Sequence, residues 1–122
     1  MKRTKQIDPA TLLEDARKSE HRESYMLLAK NKNYRVGVGA EITASNQPSF
    51  FFEILVYPCS GTVNVDLLLL EKALILLKRL QAKGFLLSCQ DSNCISCQRT
   101  VTAERLVAEY ENIDSIMRQV YP

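Results

Sequence analysis

Residues 34–57, Y-R-V-G-V-G-A-E-I-T-A-S-N-Q-P-S-F-F-F-E-I-L-V-Y, decide the fold. Tyr34, Val36, Val38, Ala40 and Ile42 alternate with Arg35, Gly37, Gly39, Glu41 and Thr43. A period of two marks a strand that buries one face. Ser45-Asn46-Gln47-Pro48 carries turn chemistry, because Asn tolerates left-handed backbone and Pro cannot sit in a central ladder. Phe50 to Tyr57 then reads as a second strand, apolar on both faces, so the pair forms a hairpin whose second strand is central or covered on both sides.

Helical signals flank the hairpin. Asp8-Pro9 opens a helix with an N-cap carboxylate and a proline at the first helical position, and the pattern runs to about Lys30 through a polar middle, Arg17 to Glu23. Downstream, Asp66 caps a leucine-rich helix that closes at Lys83-Gly84, with glycine where the chain must leave the helix. Phe85 to Ser88 is extended, Gln90 to Ser96 is a polar loop, and Gln98 to Val101 is a short strand. Leu106, Val107, Tyr110, Ile113, Met117 and Val120 follow helical spacing in a last helix. The expected fold is therefore α+β, an N-terminal helix followed by ββα-ββα. Its four strands form a mixed sheet packed with helices. Residues 1–7 read as a disordered basic tail and residues 8–122 as a single domain.

Composition narrows the function classes. The 122 residues are 46% hydrophobic and 25% charged, enough to bury a core without cross-links. The net charge of +2 is too small to announce a nucleic-acid or membrane partner, but it is unevenly spread. Residues 1–35 hold nine Lys/Arg against five Asp/Glu, and the remainder holds seven against nine. Lys30, Lys32 and Arg35, around Tyr34, make a basic patch able to contact phosphates or an acidic partner. The most apolar run, Leu67 to Leu80, is interrupted by charge and shorter than the ~20 residues of a bilayer span. With no apolar stretch after the first basic residues, no signal peptide is expected, and the expected location is the cytoplasm.

Reduced thiols are the rule in that compartment, so the four cysteines lean toward metal or redox duty. Cys59, Cys89, Cys94 and Cys97 are spaced C-x29-C-x4-C-x2-C. A C-x2-C pair in a tight turn can present two thiolates to one tetrahedral ion, and Cys89 lies five residues before it. Cys59 ends the second strand, a helix follows, and the third strand ends at Cys89. If those strands are parallel neighbours, the helix is an ordinary βαβ crossover, and all four thiols meet at one sheet edge. The run Cys89-Gln90-Asp91-Ser92-Asn93-Cys94-Ile95-Ser96-Cys97, followed by Val101, resembles the cluster-binding loop of plant-type [2Fe-2S] ferredoxins, a likeness confined to residues 89–101. That resemblance implies cluster ligation by Cys89, Cys94 and Cys97 with a distant fourth cysteine. In the ferredoxins the fourth cysteine lies downstream, whereas Cys59 lies upstream, and the loop here has no glycine. Zinc makes fewer demands on such a loop.

Other candidates carry less. His21 falls in the polar middle of the first helix, as a solvated histidine would. Gly37-Val38-Gly39 lies inside a strand and opens no helix, so it is no phosphate fingerprint. Close packing of a helix over the sheet accounts for its glycines. Glu41 and Glu53 sit on hairpin strands, and acid–base work would require both in a cleft. Three functional expectations result. The first is a non-enzymatic module with a four-cysteine zinc site and a protein partner. The second is an iron–sulfur electron-transfer protein on the same cysteines. The third is an interaction or nucleic-acid-binding module whose cysteines are incidental.

Overall fold

The computed structural model describes residues 7–58, 67–91 and 94–122. Its elements run α1 (Pro9–Lys18), β1 (Glu23–Lys30), β2 (Tyr34–Ile42), β3 (Pro48–Val56), α2 (Leu67–Ala82), β4 (Leu86–Asp91), β5 (Cys94–Val101) and, after a short 3-10 turn at Ala103–Arg105, α3 (Leu106–Val120). The five strands form one sheet in the order β1-β2-β3-β5-β4, and every neighbouring pair is antiparallel. The expected mixed four-stranded sheet in a ββα-ββα order is thereby overturned.

The first correction lies at the end of α1. Asp8 caps the helix, accepting a hydrogen bond from the Ala10 backbone N–H at 3.1 Å and another from the Thr11 hydroxyl at 2.7 Å. The helix stops at Lys18, with Ser19 extended and Arg22 at φ 55° turning the chain back. Residues 23–30 are strand, not the helix expected through Lys30. The polar run Arg17 to Glu23 has no apolar stripe to bury, while β2 has two buried faces whose outer backbone groups need a partner. Burying that edge unpaired would cost more than ending a helix. The turn is tied down from both sides: the Ile42 N–H donates to Arg22 O at 2.9 Å, and Arg22 Nη2 donates to Asn46 Oδ1 at 2.6 Å.

The second correction concerns residues 90–101. The expected loop Gln90–Ser96 is replaced by a hairpin in which β5 starts at Cys94 and pairs with β3 along its whole length, from Val56↔Ile95 to Phe50↔Val101. Since β3 and β4 are each antiparallel to β5, they run in the same direction, but β5 separates them. They are not the adjacent parallel strands the crossover reading required.

Helix α2 ends in a Schellman motif, in which the Phe85 N–H reaches Leu80 O at 3.1 Å and the Gly84 N–H reaches Gln81 O at 3.0 Å. Gly84, at φ +94°, supplies the left-handed residue the motif needs. Leu80 and Phe85, brought together by it, are both buried. All three helices bury their apolar residues on one face of the sheet: Leu12 and Ala16 from α1, Leu76 and Leu80 from α2, and Leu106, Ile113 and Met117 from α3. They meet Val36, Val38 and Ala40 of β2 and Phe52, Ile54 and Val56 of β3. Ile7, assigned to the tail from sequence, joins this core at 6% exposure. Arg99 of β5 donates to the buried carboxylate of Glu109 on α3 at 2.8 Å, and Arg105 grips the other oxygen at 2.9 Å. The opposite sheet face carries the site described next.

Candidate functional site

On the open face, β1 presents Glu23 and Tyr25, β2 presents Arg35, Gly37, Gly39 and Glu41, and β3 presents Ser49, Phe51 and Glu53. β5 adds Gln98 and Thr100. These assignments follow from the register, in which Glu23 pairs with Glu41, Tyr25 with Gly39, Gly39 with Phe51, and Glu53 with Gln98. Directly opposed residues share a face. Between them lies a groove of about 440 Å³ lined by Glu23, Ser24, Tyr25, Glu41, Ser49, Phe51, Glu53, Gln98 and Thr100. It continues across β5 into a smaller hollow of about 200 Å³ that shares Phe51, Gln98 and Thr100 and reaches Leu86.

The glycines shape this groove. A Cβ on Gly37 would overlap the Tyr25 ring, and one on Gly39 would overlap the Phe51 ring and stand 2.8 Å from Ser24 O. Two aromatic rings therefore lie down on bare strand where a side chain would hold them up. The close approach expected of a helix is made instead by these rings. Tyr25 remains 42% exposed, with the Arg35 guanidinium 5.7 Å from its ring centroid. Partial burial pushes the Tyr25 hydroxyl's pKa up, against the opposing pull of Arg35.

Three carboxylates border these rings. Glu53 accepts a hydrogen bond from Gln98 Nε2 at 2.9 Å. Among the described residues, none of Glu23, Glu41 and Glu53 forms an ion pair. Glu23 faces Glu41 in register, an arrangement that costs stability when like charges are directly opposite. The far end of the same hairpin has the opposite sign, since Lys30 pairs in register with Arg35. Lys30 and Lys32 are exposed and Arg35 is half-buried, so the structure does bring these three basic residues to one end of the sheet.

The cysteines are distributed differently. Cys59 lies outside the described residues. Cys97 pairs with Ile54 and Leu87 and Cys89 pairs with Ile95, so both occupy the helix-covered side as diagonal neighbours. Cys94, three residues from Cys97 along a strand, falls on the other face at a spacing of roughly 10 Å. A C-x2-C pair chelates from a turn, and here the pair is in an extended strand. Cys89, Cys94 and Cys97 are thiols outside any disulfide, and no group of three metal-ligating residues converges among the described residues. The three described cysteines thus do not by themselves fit a tetrahedral zinc site or a [2Fe-2S] cluster. Cys97 is fully buried in the core, and burial first, then the charge of Cys94, pushes its thiol up to about 12. It behaves as a small core hydrophobe.

His21 is exposed in the turn between α1 and β1, away from the cysteines in sequence and fold. The groove is hidden in the sequence because the helix expected through Lys30 takes in Glu23 and Tyr25, and because the strand order that sets Gln98 and Thr100 beside β3 is not local. One signal was present: Glu41 and Glu53 already alternate with the glycines and aromatics on one face of the hairpin.

No family model, curated protein or solved structure matches this chain. The architecture alone defines a class: an antiparallel five-stranded sheet with helices on one face and a groove across the other. Among the described residues no helix is long and apolar enough to cross a membrane.

Proposed function

We propose that the chain is a binding module for a protein partner and that the groove on the open sheet face receives a cationic segment of it. The observation that carries this reading is Glu23 opposite Glu41 beside Glu53, around exposed Tyr25 and half-buried Phe51. A like-charge pair in direct register works against folding, and a bound cation would turn that cost into affinity. Lys and Arg suit such a groove because their aliphatic stems pack on aromatic surface while the charged head reaches carboxylates. Arg adds a planar fork matched to carboxylate geometry.

Titration calorimetry with an arginine-rich peptide tests the proposal. Native protein binds it with an affinity that falls as salt rises. The triple variant Glu23→Gln, Glu41→Gln, Glu53→Gln, folded by circular dichroism, loses that binding. Native protein that ignores the peptide, or a triple variant that binds it as well as native, would sink the reading.

A further inference from the structure

Helix α2 buries Ala73, Leu76, Leu77 and Leu80, yet its opposite side is also apolar. Leu67, Leu74 and Ile75 are 75%, 51% and 46% exposed. A surface helix normally turns polar residues outward, and clustered exposed apolar side chains mark an interaction surface. On the same outer side stand Glu71 and Lys78, both exposed.

Those two charges identify the occupant. Seven residues apart on a helix, they are separated by ~10 Å along the axis, too far to pair with each other. Among the described residues neither forms an ion pair. Glu71 and Lys78 stand at equal distances on either side of the point between Leu74 and Ile75. An antiparallel second α2, related by a two-fold axis through that point, sets Glu71 beside Lys78 of the partner subunit and Lys78 beside Glu71 of the partner subunit. Leu74 then meets the partner subunit's Ile75 across the axis. A two-fold contact must be self-complementary in this sense, each residue finding its match on the same surface of the other copy.

We infer that the outer side of α2 is the interface at which two copies of this chain associate, antiparallel, around Leu74 and Ile75. The groove lies on the other face of the sheet, so the two readings are independent.

Sedimentation equilibrium on the full chain tests it. Native protein is a dimer that dissociates on dilution. Leu74→Glu with Ile75→Glu yields a monomer with unchanged circular dichroism, since both side chains are already exposed. Glu71→Lys and Lys78→Glu each weaken dimerisation about tenfold or more by setting like charges together. Combining them restores it, because the swapped pair is again complementary. The inference is overturned by a native monomer at every concentration, by a dimer that survives Leu74→Glu with Ile75→Glu, or by a double swap no tighter than its parents.

Discussion

Glu23 and Glu41 stand directly opposite each other on β1 and β2, two carboxylates in register at the mouth of the groove with no ion-pair partner among the described residues. Neutralising either one relieves repulsion. Glu41→Gln is expected to stabilise the fold by about 0.2–1 kcal/mol, with a gain that shrinks as salt screens the pair. The same substitution weakens binding of an arginine-rich peptide. Thermal melts at low and high salt, set beside calorimetry, check both; a Tm that falls on substitution contradicts the account.

The two glycines of β2 differ in what a methyl group would strike. At Gly37 the obstacle is the end of the Tyr25 side chain, which can swing away. At Gly39 it includes Ser24 O, part of the backbone, as well as the Phe51 ring. Gly39→Ala is therefore expected to cost about 1–3 kcal/mol by overpacking, and Gly37→Ala clearly less. Gly37→Ala should nonetheless reduce peptide affinity, because Tyr25 loses its seat. Equal destabilisation by the two variants in denaturant titrations would contradict this order.

Thiol reactivity should follow burial. In a Cys59→Ser background, one thiol, Cys89, reacts quickly with an aromatic disulfide reagent, because it is exposed while Cys94 and Cys97 are buried. Cys97, its pKa pushed up to about 12 by burial, also lacks the thiolate that attacks. Full reaction of all three requires denaturant. Three fast thiols in native protein would contradict the placement of Cys97 in the core.

Glu109 predicts the acid limb of stability. Hydrogen bonding from Arg105, then attraction to Arg99, holds its carboxyl below the ordinary value of 4.5 despite burial. A carboxylate whose pKa is lower when folded contributes stability that is complete above the unfolded pKa and disappears as the pH falls through the folded one. The loss thus begins below about pH 4.5. Glu109→Gln should cost about 1.5–3 kcal/mol near neutrality, as expected for hydrogen bonds to charged groups, and flatten the decline below pH 4.5. A variant whose stability falls as steeply in acid as the native chain's would assign that limb to other groups.

Local chemistry was legible in the sequence wherever it was self-contained. The Asp8-Pro9 cap, the alternation of Tyr34 to Ile42, the turn before Pro48 and the glycine exit after Lys83 each depend on residues within a few positions of one another, and each was readable from them. Strand partnership is not local. Residues 23–30 became β1 because β2, buried on both faces, needed a partner for its outer edge, and nothing inside 23–30 states that need. Residues 94–97 became strand because β3 and β4 flank them on both sides, which put Cys94 and Cys97 on opposite faces although their spacing suits a chelating turn. The groove is the product of those same pairings: Glu23, Glu53 and Gln98 are far apart in the chain and meet only because the sheet order is β1-β2-β3-β5-β4. The sequence alone determined the caps, the turns and the central hairpin, since short-range hydrogen bonds and backbone preferences suffice for them. Tertiary structure decided which cysteines share a face and which carboxylates share a groove, because those outcomes depend on burying backbone edges that only the assembled sheet creates.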